Sequence, residues 1–364
     1  MKTNSGLSFL DATFRSIYPQ DFAYRQQAEA HLDQLTMPHW ALGDLMDLAV
    51  DLAGMTRSLR PPVSRRKVVV MVGDHGVAAE GVSLYPLEVT TQMVHNFVRG
   101  GAGINALARR SQTEVCIVDV GARDSFDALV RSGRIVAKKI GYGTANIAYG
   151  QAMSRTHAVM AVEAGIEIAN DLAATTDVFG TGEMGIGNTT PSTAIAAVFT
   201  GKKVRELTCR GTCIDDAGLE KKAAIIEQAL QINKPDPKDG LDVLAKVGGF
   251  EIGAIAGLIL GAAAHRKPVV VDGFISAAGA MIAYSLEPFV RDYLICAHRS
   301  VEPAHEVLLN RLQCRPLLDL NLRLGEGTGA AVAMHLVDAA VAILTDVATF
   351  REAGVSDAGR SVQK

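Results

Sequence analysis

Val68-Val69-Val70-Met71-Val72-Gly73 reads as a β-strand buried on both faces: five apolar residues without alternation, four of them β-branched, stopped by a glycine. Three later segments repeat the pattern: Val115-Cys116-Ile117-Val118-Asp119-Val120-Gly121, Asp177-Val178-Phe179-Gly180 and Pro268-Val269-Val270-Val271-Asp272-Gly273. A strand with one wet face would alternate polar and apolar residues. Continuous apolar runs belong to a parallel sheet with helices on both sides. The segments between, at 152–173, 219–232, 251–264 and 330–344, are alanine-rich and periodic, as crossover helices require. The predicted fold class is therefore α/β, a three-layer α/β/α sandwich.

The beginning of the chain departs from this alternation. Residues 21–59 are amphipathic and helical in pattern, carry no strand signal and end at Pro61-Pro62. We expect residues 1–62 to form a small helical domain with 331–364, beside a large α/β domain of 63–330. A chain of 364 residues, 48% hydrophobic but only 5% aromatic, with 35 glycines, suits many tight loops around a sizeable core. Lys plus Arg number 36 against 39 Asp plus Glu, and a net charge of -3 offers nucleic acid no attractive field. The five cysteines are odd in number and scattered, unlike a secreted disulfide framework, so a reducing cytoplasm is expected. Residues 1–14 lack the charged and apolar regions of a signal peptide. The apolar stretch 252–264 is about half the length that spans a bilayer, so we expect a buried helix and no membrane partner.

In open parallel sheets ligands bind beyond the carboxyl ends of the strands, which selects the loops to read for chemistry. The richest is Gly180-Thr181-Gly182-Glu183-Met184-Gly185-Ile186-Gly187-Asn188-Thr189-Thr190-Pro191, where Thr190 is expected to cap a helix begun by Pro191. Glycines before a helix N-terminus can hold a phosphate. The same glycines fit GxGxxG, but Glu183 would set a negative charge against a pyrophosphate, and it reads better as an acceptor for a ribose hydroxyl. A turn needed only for close helix packing is the third reading. In Gly325-Glu326-Gly327-Thr328-Gly329 a carboxylate stands alone between glycines, either as a general base or as a capping charge; spacing leaves the two level. Asp74-His75-Gly76-Val77, with Glu80, lacks a second histidine at ligand spacing, so no metal is expected and Asp74 is read as orienting His75. Nearby, Tyr85 and Met93 can line an apolar pocket. Thr208-Cys209-Arg210-Gly211-Thr212-Cys213-Ile214-Asp215-Asp216 leads into a helix with Lys221 and Lys222, partners for a phosphate monoester. Cys209 and Cys213 lack matching metal ligands and read as buried thiols.

Taken in order, these segments resemble the nicotinate-nucleotide dimethylbenzimidazole phosphoribosyltransferase family over residues 35–353. The carriers are Gly73-Asp74-His75-Gly76-Val77, the loop from Gly182 to Thr190, Lys246-Val247-Gly248-Gly249-Phe250-Glu251, Asp272-Gly273-Phe274-Ile275-Ser276 and Leu324-Gly325-Glu326-Gly327-Thr328-Gly329-Ala330. The resemblance implies a Rossmann-like large domain, a small helical domain built from both chain ends, a homodimer, and no cofactor. It implies transfer of ribose 5-phosphate from nicotinate mononucleotide to a benzimidazole-type base, giving an α-ribotide and nicotinate for cobamide synthesis. By position, Glu326 is the implied base. Glu183, Gly185, Gly187 and Asn188 contact the nucleotide, and Gly211, Lys222 and Ser300 hold its phosphate and ribose. Tyr85, Pro86, Met93, Met184 and Leu324 line the acceptor pocket.

The chain also departs from the family pattern. It has Met37-Pro38-His39-Trp40-Ala41-Leu42-Gly43 where the family has Lys-Pro-x-Gly-Ser-Leu-Gly, Cys209 and Cys213 in the phosphate loop, and an altered Cys296-Ala297-His298-Arg299-Ser300. Tyr85 and Met93 motivate a second reading, a relative that activates phenol or p-cresol, paired with a paralogue in a heterodimer. Cys209 and Cys213 motivate a third, a non-catalytic partner of an active paralogue.

Overall fold

The computed structural model describes residues 8–209 and 215–356. One sheet contains β1 (Arg66–Gly73), β2 (Thr113–Gly121), β3 (Val136–Ala137), β4 (Val178–Met184), β5 (Val269–Val271) and β6 (Leu294–Cys296). Their order is β3-β2-β1-β4-β5-β6, and every pair is parallel. A second parallel pair, β7 (His298–Ser300) and β8 (Leu318–Leu322), follows from the β6 edge, where the Leu317 and Leu318 amides donate to Cys296 and Ala297 carbonyls, each at 3.0 Å. Val68 through Val72 are wholly buried at the centre of the sheet, as the unbroken apolar run requires. From β1 the chain steps outward to β2 and β3 on one side, and β4 to β6 lie on the other. The order thus reverses between β1 and β4, which opens a crevice at their carboxyl ends.

Two helices supply the outer layers. Phe250–Ala264 lies over β1, β2, β4 and β5, while Thr328–Asp346 lies over β1, β4 and β5; sharing these strands without packing on each other, they cover opposite faces. Thr328–Asp346 is long and apolar enough to cross a membrane by length and composition alone. Its Met334, Val337, Ala340 and Leu344 are buried, so it is a core helix. Arg155–Leu172 packs on Phe250–Ala264 so closely that a Cβ at Gly165 would overlap the Ala254 carbonyl, and one at Gly257 the Val162 carbonyl. No larger residue fits this crossing.

The ends of the chain meet on the far side of Thr328–Asp346. Asp44–Thr56 and Phe22–Leu32 pack against that helix, and Leu35 forms an antiparallel bridge with Thr349. Beside it the Thr36 amide donates to the Ala348 carbonyl at 3.0 Å. Phe9–Phe14 goes elsewhere, packing on Phe250–Ala264 and Arg155–Leu172.

Gly257→Val is expected to destabilise the fold by about 3 kcal/mol, the upper part of the overpacking range. Urea denaturation reads this as a lower midpoint at unchanged slope. A midpoint equal to that of the parent chain would show that the two backbones do not touch there.

Candidate active site

The crevice is built first by the exit of β4. A Cβ at Gly185 would overlap the Gly73 carbonyl, so the ends of β4 and β1 are pressed together. Gly187, at φ +93°, turns the chain into the helix Thr189–Thr200, whose cap is Asn188 rather than the expected Thr190. Pro191 is the third helical residue, not the first; within the first turn its missing N–H costs nothing, because those amides have no intrahelical partner.

Glu183, near the end of β4, is only 6% exposed. Its carboxyl receives hydrogen bonds from the Asn188 side-chain amide and from the backbone N–H of Glu326. Burial, reinforced by the nearby Asp272 and Glu251 carboxylates, pushes Glu183 up to about 8. At neutral pH it is mostly the neutral acid. The objection to a negative charge inside a phosphate-binding loop therefore weakens: burial removes most of that charge.

Glu183 bonds to a turn of unusual backbone. Gly325, Glu326 and Gly327 all have left-handed φ, +83°, +62° and +90°. For Glu326 this costs roughly 1–3 kcal/mol, so the surroundings must enforce it. Asp272, just past β5, does so from below: its Oδ2 accepts from the Gly327 amide at 3.1 Å and its Oδ1 from the Ala330 amide at 3.0 Å. The Glu326 side chain reaches the start of another helix, Gly103–Arg110, where Oε2 accepts from the Ile104 amide at 3.1 Å. It does cap a helix, but not the one it precedes. Burial raises its pKa above the ordinary carboxylate value and Asp272 adds to this, while the Ile104 and Gly103 amides oppose the rise.

These groups line a cavity of about 440 Å³. Of the predicted residues, Glu326, Glu183, Gly185, Gly187, Asn188, Ser300, Tyr85, Met93, Met184 and Leu324 stand on its wall. Tyr85 and Leu324 form an exposed apolar rim, and Met93 is half-buried. Pro86 is not on the wall; it is exposed in the turn before Glu88–Arg99, where its carbonyl accepts from the Val89 amide. Lys222 is one hydrogen bond behind the wall, fully buried, its Nζ donating to Thr189 Oγ1 at 2.7 Å and to the Cys209 carbonyl at 3.4 Å. Burial lowers its pKa. Gly211 and Cys213 lie outside the described residues.

Sequence reading assigns no role to Asp272, Ser276, His298, Glu302 or Arg323, which also line the cavity. Asp272 stands directly after a strand, the signal used for the other loops. His298 opens, and Glu302 follows, a three-residue strand too short to show a period. Ser276 Oγ, His298 Nδ1 and Glu302 Oε2 are buried without a hydrogen-bond partner. Buried polar atoms are nearly always paired, so these three mark where a polar ligand would bond. The expectation for His75 needs correction. Its Nε2 pairs at 2.7 Å with Glu251 Oε1 on the helix Phe250–Ala264, while Asp74 Oδ2 accepts from the Arg123 amide at 2.8 Å. Asp74 is turned to the neighbouring loop, and the histidine's partner comes from a distant segment. Among the described residues no group of three or more His, Cys, Asp or Glu side chains could hold a metal ion.

Residues 17–355 match a family model described as phosphoribosyltransferase. A nicotinate-nucleotide–dimethylbenzimidazole phosphoribosyltransferase of Desulfotalea psychrophila is 61% identical over 351 residues, covering 96% of this chain and 99% of the relative. One of the same name from Syntrophotalea carbinolica is 59% identical, with 96% and 99% covered. A crystal structure of the enzyme of that name from Thermus thermophilus superposes with a TM-score of 0.87 at 42% identity, covering 93% of this chain and 99% of that one.

The raised Glu183 carboxyl has a sign that can be measured. Between its ordinary value of 4.5 and about 8 the folded chain holds a proton that the unfolded chain has lost. Stability is then greatest below that window and falls as pH rises through it. Glu183→Gln should flatten this fall in urea titrations across the window; an unchanged slope would show that Glu183 is ionised in the folded chain.

Proposed function

The chain belongs to the nicotinate-nucleotide–dimethylbenzimidazole phosphoribosyltransferase family, and from that premise we propose that it moves ribose 5-phosphate from nicotinate mononucleotide to a 5,6-dimethylbenzimidazole-type base, releasing nicotinate and an α-ribotide for cobamide synthesis. One observation carries the assignment of Glu326 as base. Its carboxylate is buried, raised above the ordinary carboxylate range, and fixed between the apolar rim at Leu324 and the polar wall at Glu183. An apolar ring seated at the rim and a nucleotide seated at the polar wall would both reach it.

The chemistry asks little more. The pyridinium nitrogen of the donor is cationic, so nicotinate departs without needing a proton from the protein. What remains is to take a proton from the acceptor nitrogen and to hold that nitrogen in line with the anomeric carbon. Attack opposite the departing ring inverts the β-linkage to α. Positive charge grows on the sugar ring as the bond breaks, and the Asp272 and Glu302 side chains on the wall oppose it with carboxylates. The fully buried Lys222 behind Thr189, with Ser300, supports binding of the donor phosphate. Glu183, mostly protonated, is a hydrogen-bond partner for the ribose that does not repel that phosphate.

Nothing among the relatives favours a phenol- or p-cresol-activating enzyme, and the intact Glu326 turn speaks against a non-catalytic partner. A homodimer is proposed from the resemblance, and sedimentation at assay concentration tests it. The packing of Phe22–Leu32 and Asp44–Thr56 on Thr328–Asp346 and the bridge between Leu35 and Thr349 support grouping those segments of the two chain ends, whereas Phe9–Phe14 packs on helices of the large domain. A cytoplasmic location is proposed from the odd number and scatter of the cysteines in the sequence.

Glu326→Gln should fold and bind nicotinate mononucleotide as the parent does, but release nicotinate about 100- to 10,000-fold more slowly, the usual share of a general base. Near-parental turnover would remove Glu326 from that role. Because the base must be ionised and its pKa is raised, kcat/KM should fall on the acid side at a pH above the ordinary carboxylate range. A profile flat through the range just above ordinary carboxylate values would count against it.

A further inference from the structure

A second cavity, of about 200 Å³, lies between the helix Asp44–Thr56 and the seam where β6 meets the chain before β8. Cys296 and Cys314 both line it. Cys296 ends β6 and is buried; Cys314 follows the helix Pro303–Leu312 and is half-buried, its amide donating to the Leu309 carbonyl at 3.0 Å. Neither is in a disulfide. The neighbouring Cys296 and Arg291, on the same cavity wall, lower the pKa of Cys314, while Cys314 and burial raise that of Cys296. Two thiols on one cavity wall, the more acidic of them half-buried, have the arrangement of a reactive dithiol.

We propose that Cys296 and Cys314 form a reversible dithiol–disulfide couple, oxidised by a low-molecular-weight disulfide that enters this cavity, and that its state is felt at the nucleotide site. The Cys314 thiolate attacks one sulfur of the small disulfide and expels one thiolate, which takes up a proton. Cys296 then gives up its proton, attacks the Cys314 sulfur of the mixed disulfide and expels the second small thiol. Two protein thiols become one disulfide, and one small disulfide becomes two small thiols.

The link to the site is the chain itself. Cys296 runs directly into β7, which carries His298 and Ser300 to the nucleotide cavity, and Cys314 runs into β8, which leads to Leu324 and Glu326. A disulfide brings the sulfurs to about 2.0 Å, closer than two unbonded thiols can approach, and so tightens the seam from which both walls are hung. A displacement of about 1 Å at reacting groups can cost on the order of 100-fold in rate.

The test treats the full chain with oxidised glutathione, alkylates the remaining thiols, maps peptides by mass spectrometry, and assays nicotinate release in parallel. We expect a Cys296–Cys314 cross-linked peptide, a loss of activity of about tenfold or more, and recovery with dithiothreitol. Cys314→Ser should keep its activity under the same treatment. Both residues still alkylated after prolonged treatment, or glutathione arrested on Cys314, would overturn the couple, whatever the variant does. A cross-link formed without change in activity would overturn the connection to the site.

Discussion

The hydrogen bond from the Glu326 backbone to the Glu183 carboxyl is the contact on which the rest of the site depends. It joins the end of a central strand to a turn that the chain would not adopt unaided, with three successive residues in the left-handed region and one of them not glycine. Asp272 completes the hold through the amides of Gly327 and Ala330. The two carboxyl groups are spent on backbone geometry, which leaves the Glu326 side chain set by the fold and not by its own rotamer preference. The same crowding of acids in a buried place keeps Glu183 protonated and lifts Glu326. One arrangement therefore accounts for both the shape of the turn and the acidity of its groups.

Much of the fold is legible in the sequence because it is local. Continuous valine runs mark buried parallel strands, and alanine-rich periodic segments mark the helices between them; the structure places helices at Arg155–Leu172, Asp216–Asn233, Phe250–Ala264 and Thr328–Asp346, within a few residues of the expected limits. The loops after β1 and β4 can be chosen by the rule that ligands gather at carboxyl ends. What cannot be read is pairing across long separations. Glu251 on His75, Asp272 on Gly327 and Glu183 on Glu326 each join segments whose nearness depends on strand order, and a single sequence carries no mark of that order.

The same limit explains the errors of detail. Neighbourhood in the chain suggests pairing Asp74 with His75, yet adjacent residues at a strand end point apart, and each finds a partner on another element. Thr190 reads as the cap because it precedes a proline, but Gly187 supplies the turn earlier. Glu326 stands level between base and cap because the sequence offers the cap reading only the helix beginning beside it. In the structure its carboxylate meets the start of Gly103–Arg110, a helix more than two hundred residues earlier in the chain.

Thr328–Asp346 begins at the turn that holds Glu326 and ends beside the strand-like bridge of Leu35 and Thr349. Its 19 residues make a rod of about 28 Å. The helices Phe22–Leu32 and Asp44–Thr56 rest on this rod. One continuous helix therefore joins the place where the chain ends meet to the turn that carries the carboxylate. The position of the one group whose aim matters most is thereby built on the same rod that the chain ends pack against.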